Sequence, residues 1–173
     1  DGLISLREAI IAANNTAGLD DITFNIAGVG VQTIHVTDPD GAGPLAGLPT
    51  ITDEIAIDGY SQSGASTNTL SMGNDAVLQI ELDGTLAGAG SYGIDLGTGS
   101  DGSSIQGLII NGFNDAGAGA GIHVGSDNNL IKGNFIGTDD VDTTGIGNRI
   151  GLYITGSDNL IGGAGIDRLF GGD

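Results

Sequence analysis

Alternation of apolar and polar residues is the dominant pattern of the chain after Gly18. It covers residues 22–26, 33–37, 55–58 and 78–83, which are separated by segments rich in Gly, Ser, Thr, Asn and Asp. A period of two residues is typical of a β-strand that buries one of its faces. The sequence therefore predicts a protein built mainly from short strands.

The later part of the chain repeats one strand pattern three times. The copies begin at Gly93, Gly121 and Gly151 and read G-I-D-L, G-I-H-V and G-L-Y-I, at intervals of 28 and 30 residues. A period in this range is typical of a solenoid, in which we expect each strand to pair in parallel with its equivalent in the next repeat. After a turn containing Ser-Asp, a second strand follows in each copy, at residues 104–107, 130–133 and 160–163.

A different pattern occupies the start of the chain and predicts the only helix, over residues 5–14. Ser5 and Glu8 have the spacing of a capping box, in which each side chain accepts a hydrogen bond from the backbone N–H of the other residue. Apolar residues then recur on one face at i, i+4 and i+7 from Leu6. Because the first strands of a stack would otherwise present an open edge, we expect this helix to cover that end.

The charge of the chain excludes several classes of partner. Its 173 residues include 22 acidic and 4 basic side chains, for a formal net charge of −18. Nucleic acids and anionic membranes are bound through Lys and Arg, so neither is an expected partner. No apolar run approaches the roughly 20 residues that span a membrane. The chain has no cysteine, which excludes disulfides and thiolate metal sites.

Aspartate accounts for nearly all of the acidic residues, since Glu occurs only at Glu8, Glu54 and Glu81. Asp stabilises turns through hydrogen bonds to nearby backbone amides, and it is also a hard oxygen ligand for Ca²⁺. Turn chemistry and cation binding are both open interpretations for a typical Asp of this chain.

Two segments carry patterns that indicate calcium. In the first, Asp140, Asp142 and Thr144 place oxygen ligands at alternate positions, and a glycine follows at the sixth position, as in calcium-binding loops. Gly151 stands at the twelfth position, where such loops carry an acidic residue. An ordinary loop between strands is therefore the alternative.

The second segment, residues 162–170, matches one copy of the nonapeptide G-G-x-G-x-D-x-U-x of calcium-binding parallel β-rolls. Asp167 and Asp173 are the candidate ligands here, and calcium is the one cofactor that the sequence suggests. Successive turns share each ion in such rolls, so an ordinary further coil is the alternative.

Asn129 and Asn159 occupy equivalent positions, each just before a Leu-Ile pair. Asparagines stacked in successive repeats hydrogen-bond one another and the turn backbone, which predicts a structural role for both residues. His35 and His123 have no catalytic partner close in sequence, and both fit ordinary strand positions.

Aromatic side chains that could bind a neutral sugar are scarce, at 4% of the chain. Tyr60 lies next to a long loop at residues 61–75, and loops of this kind carry recognition residues. Tyr60 is therefore the predicted ligand-binding residue.

The segment S-L-R-E-A-I at residues 5–10 resembles the opening motif of a family of secreted bacterial right-handed parallel β-helix proteins. Further segments similar to that family follow at residues 51–53, 57–66, 80–85, 107–113, 133–138 and 159–163. The resemblance implies an all-β fold, a pectate-lyase-like right-handed parallel β-helix with one short N-terminal capping α-helix. It also implies one domain over residues 1–173, with stacked coils over residues 22–173, as a fragment or module of a larger secreted protein.

The function expected on this basis is an extracellular structural or adhesive module at the cell surface. We expect it to be acidic and calcium-stabilised, and to pair through its open end with adjacent domains or head-to-tail with itself as filaments. Cell-surface polysaccharide is a further expected partner.

Two alternatives remain on the same fold, namely a polysaccharide lyase or hydrolase and a carbohydrate-binding module. A lyase needs a cation and a basic side chain that takes a proton, and Lys132 and Arg149 are the only basic residues of the three repeats. A hydrolase needs carboxylates that converge on one face. The sequence identifies no such set, so no catalytic residue is assigned.

Overall fold

The computed structural model describes residues 4–37, 47–114, 117, 119–139, 146–163 and 168–169. Strands β1 to β6 lie at Asp20–Thr23, Gln32–His35, Ile55–Asp58, Ile80–Asp83, Tyr92–Leu96 and Ser104–Gln106. Strands β7 to β13 lie at Leu108–Asn111, Ala120–Val124, Leu130–Lys132, Phe135–Ile136, Leu152–Ile154, Leu160–Ile161 and Arg168–Leu169. The described residues also form one α-helix, α1, at Leu6–Ala13 and a 3₁₀ turn at Gly59–Ser61.

The strands form three sheets in which neighbouring strands run parallel. Sheet A has the order β1-β3-β6-β9-β12, sheet B the order β13-β10-β7-β4-β2, and sheet C the order β11-β8-β5. From β5 onwards the chain adds strands to sheets C, A and B in turn, so each strand lies beside its equivalent from the next repeat. Ile94 thus lies opposite Ile122, and Ile105 opposite Ile131.

This architecture corrects the predicted fold class. The sequence predicts one right-handed parallel β-helix, and that prediction is wrong, because the described strands divide into three separate parallel sheets of five, five and three strands. The apolar pattern indicated two strands per repeat, whereas β7 and β10 are third strands that build sheet B. Gly107 and Gly133 precede these strands with φ of +73° and +62°, a left-handed conformation that directs the chain from one sheet into the next.

One hydrophobic cluster joins the inward faces of the three sheets. On sheet A it contains a column of isoleucines in which Ile22, Ile57, Ile105 and Ile131 lie opposite one another. Removing such side chains from water stabilises the fold by about 25 cal/mol per Å² of apolar surface. The equivalent columns are Ile34, Leu82, Ile110 and Ile136 on sheet B, and Leu96 and Val124 on sheet C. Each repeat is therefore stabilised by the repeats on both sides of it.

The helix predicted over residues 5–14 is confirmed, and it begins with the predicted capping box. Ser5 N–H donates to Glu8 Oε2 at 2.8 Å, and Glu8 N–H donates to Ser5 Oγ at 3.3 Å. The hydrogen bonds from the Ser5 backbone and hydroxyl lower the pKa of the Glu8 carboxyl. Three apolar residues at the predicted spacing are buried, namely Leu6, Ile10 and Ala13.

The segment around Ile51 lies along the outer edge of β5 in sheet C. Ile51 N–H donates to the Asp95 carbonyl at 2.8 Å in a parallel bridge. Asn14, directly after α1, donates to the Thr50 carbonyl and accepts from Thr52 N–H, both at 2.8 Å. These hydrogen bonds connect the end of α1 to the edge of sheet C formed by β5.

One long loop, residues 66–77, is closed by an antiparallel bridge. Ser66 and Val77 exchange two backbone hydrogen bonds of 2.9 Å. Inside the loop, Asp75 accepts hydrogen bonds of 2.6 Å from the N–H and the hydroxyl of Thr69. Met72 is 87% exposed. The 66–77 loop therefore has its own internal contacts while presenting an apolar side chain to solvent.

No helix within the described residues has the length and apolar character of a membrane span.

Candidate functional site

Asn129 and Asn159 connect three successive turns at the start of the strands of sheet A. Asn129 Oδ1 accepts from Ser103 N–H at 2.9 Å, and Asn129 N–H donates to Asn159 Oδ1 at 2.8 Å. Asn129 Nδ2 also donates to Ser126 Oγ and to Asn159 Oδ1, both at 2.9 Å. Asn129 is only 1% exposed, and every polar atom of its side chain has a partner. The contacts of both asparagines are therefore internal to the protein.

Aspartates of the same turns use their carboxylates in a similar way. Asp101 Oδ1 accepts from Asp127 N–H at 2.8 Å, and Asp127 Oδ1 accepts from Ser157 N–H at 2.6 Å. Ionised carboxylates form strong hydrogen bonds with backbone amides. For these two residues the structure favours turn chemistry over cation binding.

A second set of asparagines was missed by the sequence analysis. Asn134 accepts from Leu108 N–H at 3.0 Å and donates to the Ile105 carbonyl at 2.9 Å. Asn148 accepts from Phe113 N–H at 3.1 Å and donates to the Ile110 carbonyl at 2.8 Å. Both asparagines are buried and follow a glycine, and this recurrent Gly-Asn pair is the signal that could have identified them.

Tyr60, the predicted ligand-binding residue, makes contacts within the protein. Its ring packs against a cluster that includes Leu78 and Phe135, and its hydroxyl donates to the Gly133 carbonyl at 2.8 Å. The ring is partly buried. A binding role for Tyr60 stays a prediction, and the contacts of the described residues give it a packing role.

The predicted calcium ligands all lie outside the described residues. They are Asp140, Asp142, Thr144, Asp167 and Asp173. Among the residues that the structure describes, no group of three or more His, Asp or Glu side chains could hold a metal ion.

The outer face of sheet C holds a connected row of polar side chains that the sequence analysis did not predict. His123 Nδ1 lies 2.7 Å from Asp95 Oδ1, and Thr50 Oγ1 donates to Asp95 Oδ2 at 2.5 Å. On the other side of the ring, His123 Nε2 lies 3.4 Å from Thr155 Oγ1. The side chains of Asp95 and His123 are only 17% and 19% exposed, so this row is partly shielded from water.

Two tyrosines enclose the imidazole of this row. The ring of Tyr92 stacks on His123 with a centroid distance of 4.8 Å, and the ring of Tyr153 stacks on its other face at 5.0 Å. Burial, followed by the Asp95 carboxylate and Tyr153, raises the pKa of the Tyr92 phenol. Tyr92 is therefore protonated, and available as a hydrogen-bond donor, at neutral pH.

The register of sheet C explains how the row arises. Asp95 lies opposite His123, and His123 lies opposite Tyr153, because these residues hold the third position of the three repeated patterns. Strand alternation directs this position outward, and the flanking positions of the first two copies are buried. We call Asp95, His123, Tyr153, Tyr92 and Thr155 the sheet C row.

A second histidine–aspartate pair lies on sheet B and serves as a reference. His35 Nδ1 lies 2.9 Å from Asp83 Oδ2, again between opposite residues of neighbouring strands. The His35 side chain is 59% exposed, against 19% for His123. Among the described residues, no hydroxyl contacts the other ring nitrogen of His35. The His123–Asp95 pair is therefore partly shielded from water and also contacts a hydroxyl. The His35–Asp83 pair is more exposed and has no such contact among the described residues.

The Asp83 pair leads to a prediction about acid stability. Burial raises the pKa of the Asp83 carboxyl, but hydrogen bonds from Thr85 and His35 outweigh it, and the net effect lowers the pKa. A carboxyl with a lowered folded-state pKa stabilises the protein above its unfolded pKa of about 3.9, and this contribution is lost as pH falls through the folded-state value. Asp83→Asn should cost about 0.5–1 kcal/mol at pH 7 and flatten the loss of stability on acidification below pH 4.

Urea denaturation of the Asp83→Asn variant and the unchanged protein between pH 7 and pH 2.5 measures this effect. Asp21→Asn is the matched control, because Asp21 is exposed on edge strand β1. Equal acid profiles for Asp83→Asn and the unchanged protein would contradict the prediction.

Comparisons of the chain with protein families, curated proteins and solved structures find no match. The family resemblance, which residues 5–10 and the later segments carry, accordingly stays a prediction.

The geometry of the sheet C row determines what it can do chemically. A carboxylate only accepts hydrogen bonds, so the His123 nitrogen that faces Asp95, Nδ1, carries the imidazole proton. Nε2 then has a lone pair that can accept a further proton. An oriented imidazole with a free Nε2 is the arrangement of a general base. The row is the candidate functional site of the described residues.

Proposed function

We propose that the chain is a rigid structural module of a secreted or cell-surface protein that displays its loops and outer sheet faces. The observation that carries this proposal is the continuity of contacts from repeat to repeat. Isoleucine columns run through the core, and the Asn129 and Asn159 ladder runs through the turns. Such connected repeats stabilise one another through their interfaces, which suits a scaffold.

The acidic surface supports an extracellular display role. The formal net charge of −18 favours solubility and disfavours adsorption to anionic surfaces. The resemblance to secreted bacterial proteins supports the same location.

Hydrogen exchange tests the rigidity of the module. We expect the amides of β6 to β9 to exchange only through global unfolding, with the 66–77 loop exchanging much faster. Adhesion is tested separately, by measuring the binding of labelled protein to bacterial cells and to neutral and acidic cell-wall polysaccharides. Fast exchange in β6 to β9 would contradict the scaffold proposal. Absence of binding to cells and polysaccharides would contradict an adhesive role and leave the scaffold role in place.

Calcium stabilisation and self-association are further parts of the proposal. A ligand that binds only the native state at 100 times its Kd raises stability by about 2.7 kcal/mol. The melting temperature should therefore rise between chelator and millimolar Ca²⁺, and Mg²⁺ is the control. Light scattering tests self-association, and a monomer at high protein concentration would contradict filament formation.

A further inference from the structure

We propose that the sheet C row is a nucleophilic site in which Thr155 is acylated by small neutral esters, with His123 as the general base and Asp95 as its orienting carboxylate. An activated nucleophile is recognised by a base within hydrogen-bond reach and by a third group that orients the base. Thr155 Oγ1, His123 Nε2 and Asp95 Oδ1 meet this description, at 3.4 Å and 2.7 Å along the row. Contacts of this kind are often long before substrate binds.

The position of Asp95 is fixed from both sides. Its Oδ1 accepts from His123, and its Oδ2 accepts from the Thr50 hydroxyl at 2.5 Å. Both oxygens are thus occupied, which holds the imidazole in one orientation and one tautomer. The free Nε2 then faces the Thr155 hydroxyl.

Thr155 is held at the end of β11 by its backbone. The N–H groups of Thr155 and Gly156 both donate to the Val124 carbonyl, at 2.9 Å and 3.1 Å. A Cβ atom at Gly156 would overlap the Ser126 carbonyl oxygen, so the chain passes closely over the preceding repeat here. Among the described residues, the Thr155 hydroxyl contacts His123 alone. The site therefore has a fixed nucleophile whose hydroxyl is not engaged elsewhere.

The proposal assigns the role of oxyanion donor to the hydroxyls of the two tyrosines. The N–H groups of Thr155 and Gly156 are already engaged, so they cannot stabilise a developing oxyanion. Phenolic hydroxyls serve as such donors in acyl transfer, and the Tyr92 and Tyr153 rings lie on the two faces of His123. Their rings also shield the imidazole from water, which strengthens electrostatic interactions at the site.

The reaction transfers the acyl group in two steps. His123 Nε2 takes the proton of the Thr155 hydroxyl while Oγ1 bonds to the ester carbonyl carbon. The tetrahedral intermediate then breaks its bond to the alcohol oxygen, which receives that proton and leaves. Water then attacks the acyl carbon while Nε2 takes its proton, the bond from that carbon to Thr155 Oγ1 breaks, and Oγ1 receives the proton from Nε2, which releases the acid and restores the hydroxyl. A net charge of −18 repels anionic substrates, which is why neutral esters are the expected class.

The test uses p-nitrophenyl acetate turnover together with labelling by a fluorophosphonate, followed by mass spectrometry. Removing a general base or its nucleophile costs about 10²–10⁴-fold in rate, so Thr155→Val and His123→Gln should each lose at least about 100-fold. Thr155→Ser should keep turnover, because it keeps the hydroxyl. His35→Gln, which alters the pair on sheet B, should leave turnover unchanged.

Labelling distinguishes this site from general surface reactivity. The phosphonate should modify Thr155 in the unchanged protein, and Asp95→Asn should reduce both labelling and turnover while shifting the pH profile of turnover. Thermal unfolding identifies variants that fail to fold. Turnover no greater than that of free imidazole, a label at another residue, or an equal loss in His35→Gln would overturn the proposal.

Discussion

Replacing Gly59 with alanine is expected to destabilise the protein by about 3 kcal/mol, since overpacking a tight contact costs 1–3 kcal/mol and occasionally more. A Cβ atom at Gly59 would overlap the Gly107 carbonyl oxygen and lie 2.6 Å from the carbonyl carbon and 2.9 Å from Leu108 Cδ2. Two of these atoms belong to the backbone of the neighbouring repeat, where β6 ends and β7 begins. They cannot move aside without disturbing sheets A and B together. Chemical denaturation of both proteins measures the loss.

Gly163→Ala is the matched control for this prediction. The nearest atoms to a Cβ at Gly163 are Lys132 Cδ at 3.7 Å and Cβ at 3.8 Å, which are ordinary contacts with a flexible side chain. A change of less than about 0.5 kcal/mol is expected at such a position. Similar losses for the two variants would show that the close approach at Gly59 is not the cause.

Replacing Asn129 with alanine is expected to cost about 3 kcal/mol, because it removes three hydrogen bonds at a buried site, each of which contributes about 0.5–1.5 kcal/mol. The variant loses the acceptor for Ser103 N–H and the donor to Ser126 Oγ. It also loses the Nδ2 contact to Asn159. Water cannot easily replace these bonds at a residue that is 1% exposed. Urea denaturation gives the free energy of unfolding.

Asn25→Ala tests whether loss of an asparagine amide matters in itself. Asn25 is exposed, so its replacement should change stability by less than about 0.5 kcal/mol. Asn129→Asp adds a second comparison, because it keeps the acceptor for Ser103 and loses the donors. A loss below about 0.5 kcal/mol for Asn129→Ala would contradict a stabilising role for the ladder.

The helix and the pairing of strands could be predicted because both depend on local or repeated patterns. The capping box of Ser5 and Glu8 is complete within four residues, and it was found where predicted. The repeated pattern likewise identified the partners Ile94 and Ile122. In both cases the types of residue and their spacing in the sequence determine the interaction.

The number of sheets could not be predicted in the same way. Strands β7 and β10 begin after Gly107 and Gly133, within apolar segments that resemble a continuation of the preceding strand. Whether a glycine continues a strand or turns it depends on its φ angle, and glycine adopts positive φ without the steric cost that other residues meet. The division into sheets A and B therefore depends on two residues whose conformation the sequence leaves open.

The candidate site was missed for a different reason. Asp95 and His123 are separated by a whole repeat, so His123 had no partner close in sequence. The signal was nevertheless present, because Asp95, His123 and Tyr153 hold the same position in three aligned copies. Comparison of equivalent positions in the three copies places these side chains next to one another from the sequence alone.

The bridge between Ser66 and Val77 has a consequence for engineering. Because the bridge holds both ends of the segment side by side, foreign sequence spliced in at Met72 would extend away from the sheets without separating the flanking strands. Exposed loop tips of this kind tolerate insertions best. The protein is accordingly suited to carrying an antigenic peptide or a second small domain at that point, with β3 and β4 unchanged beneath it.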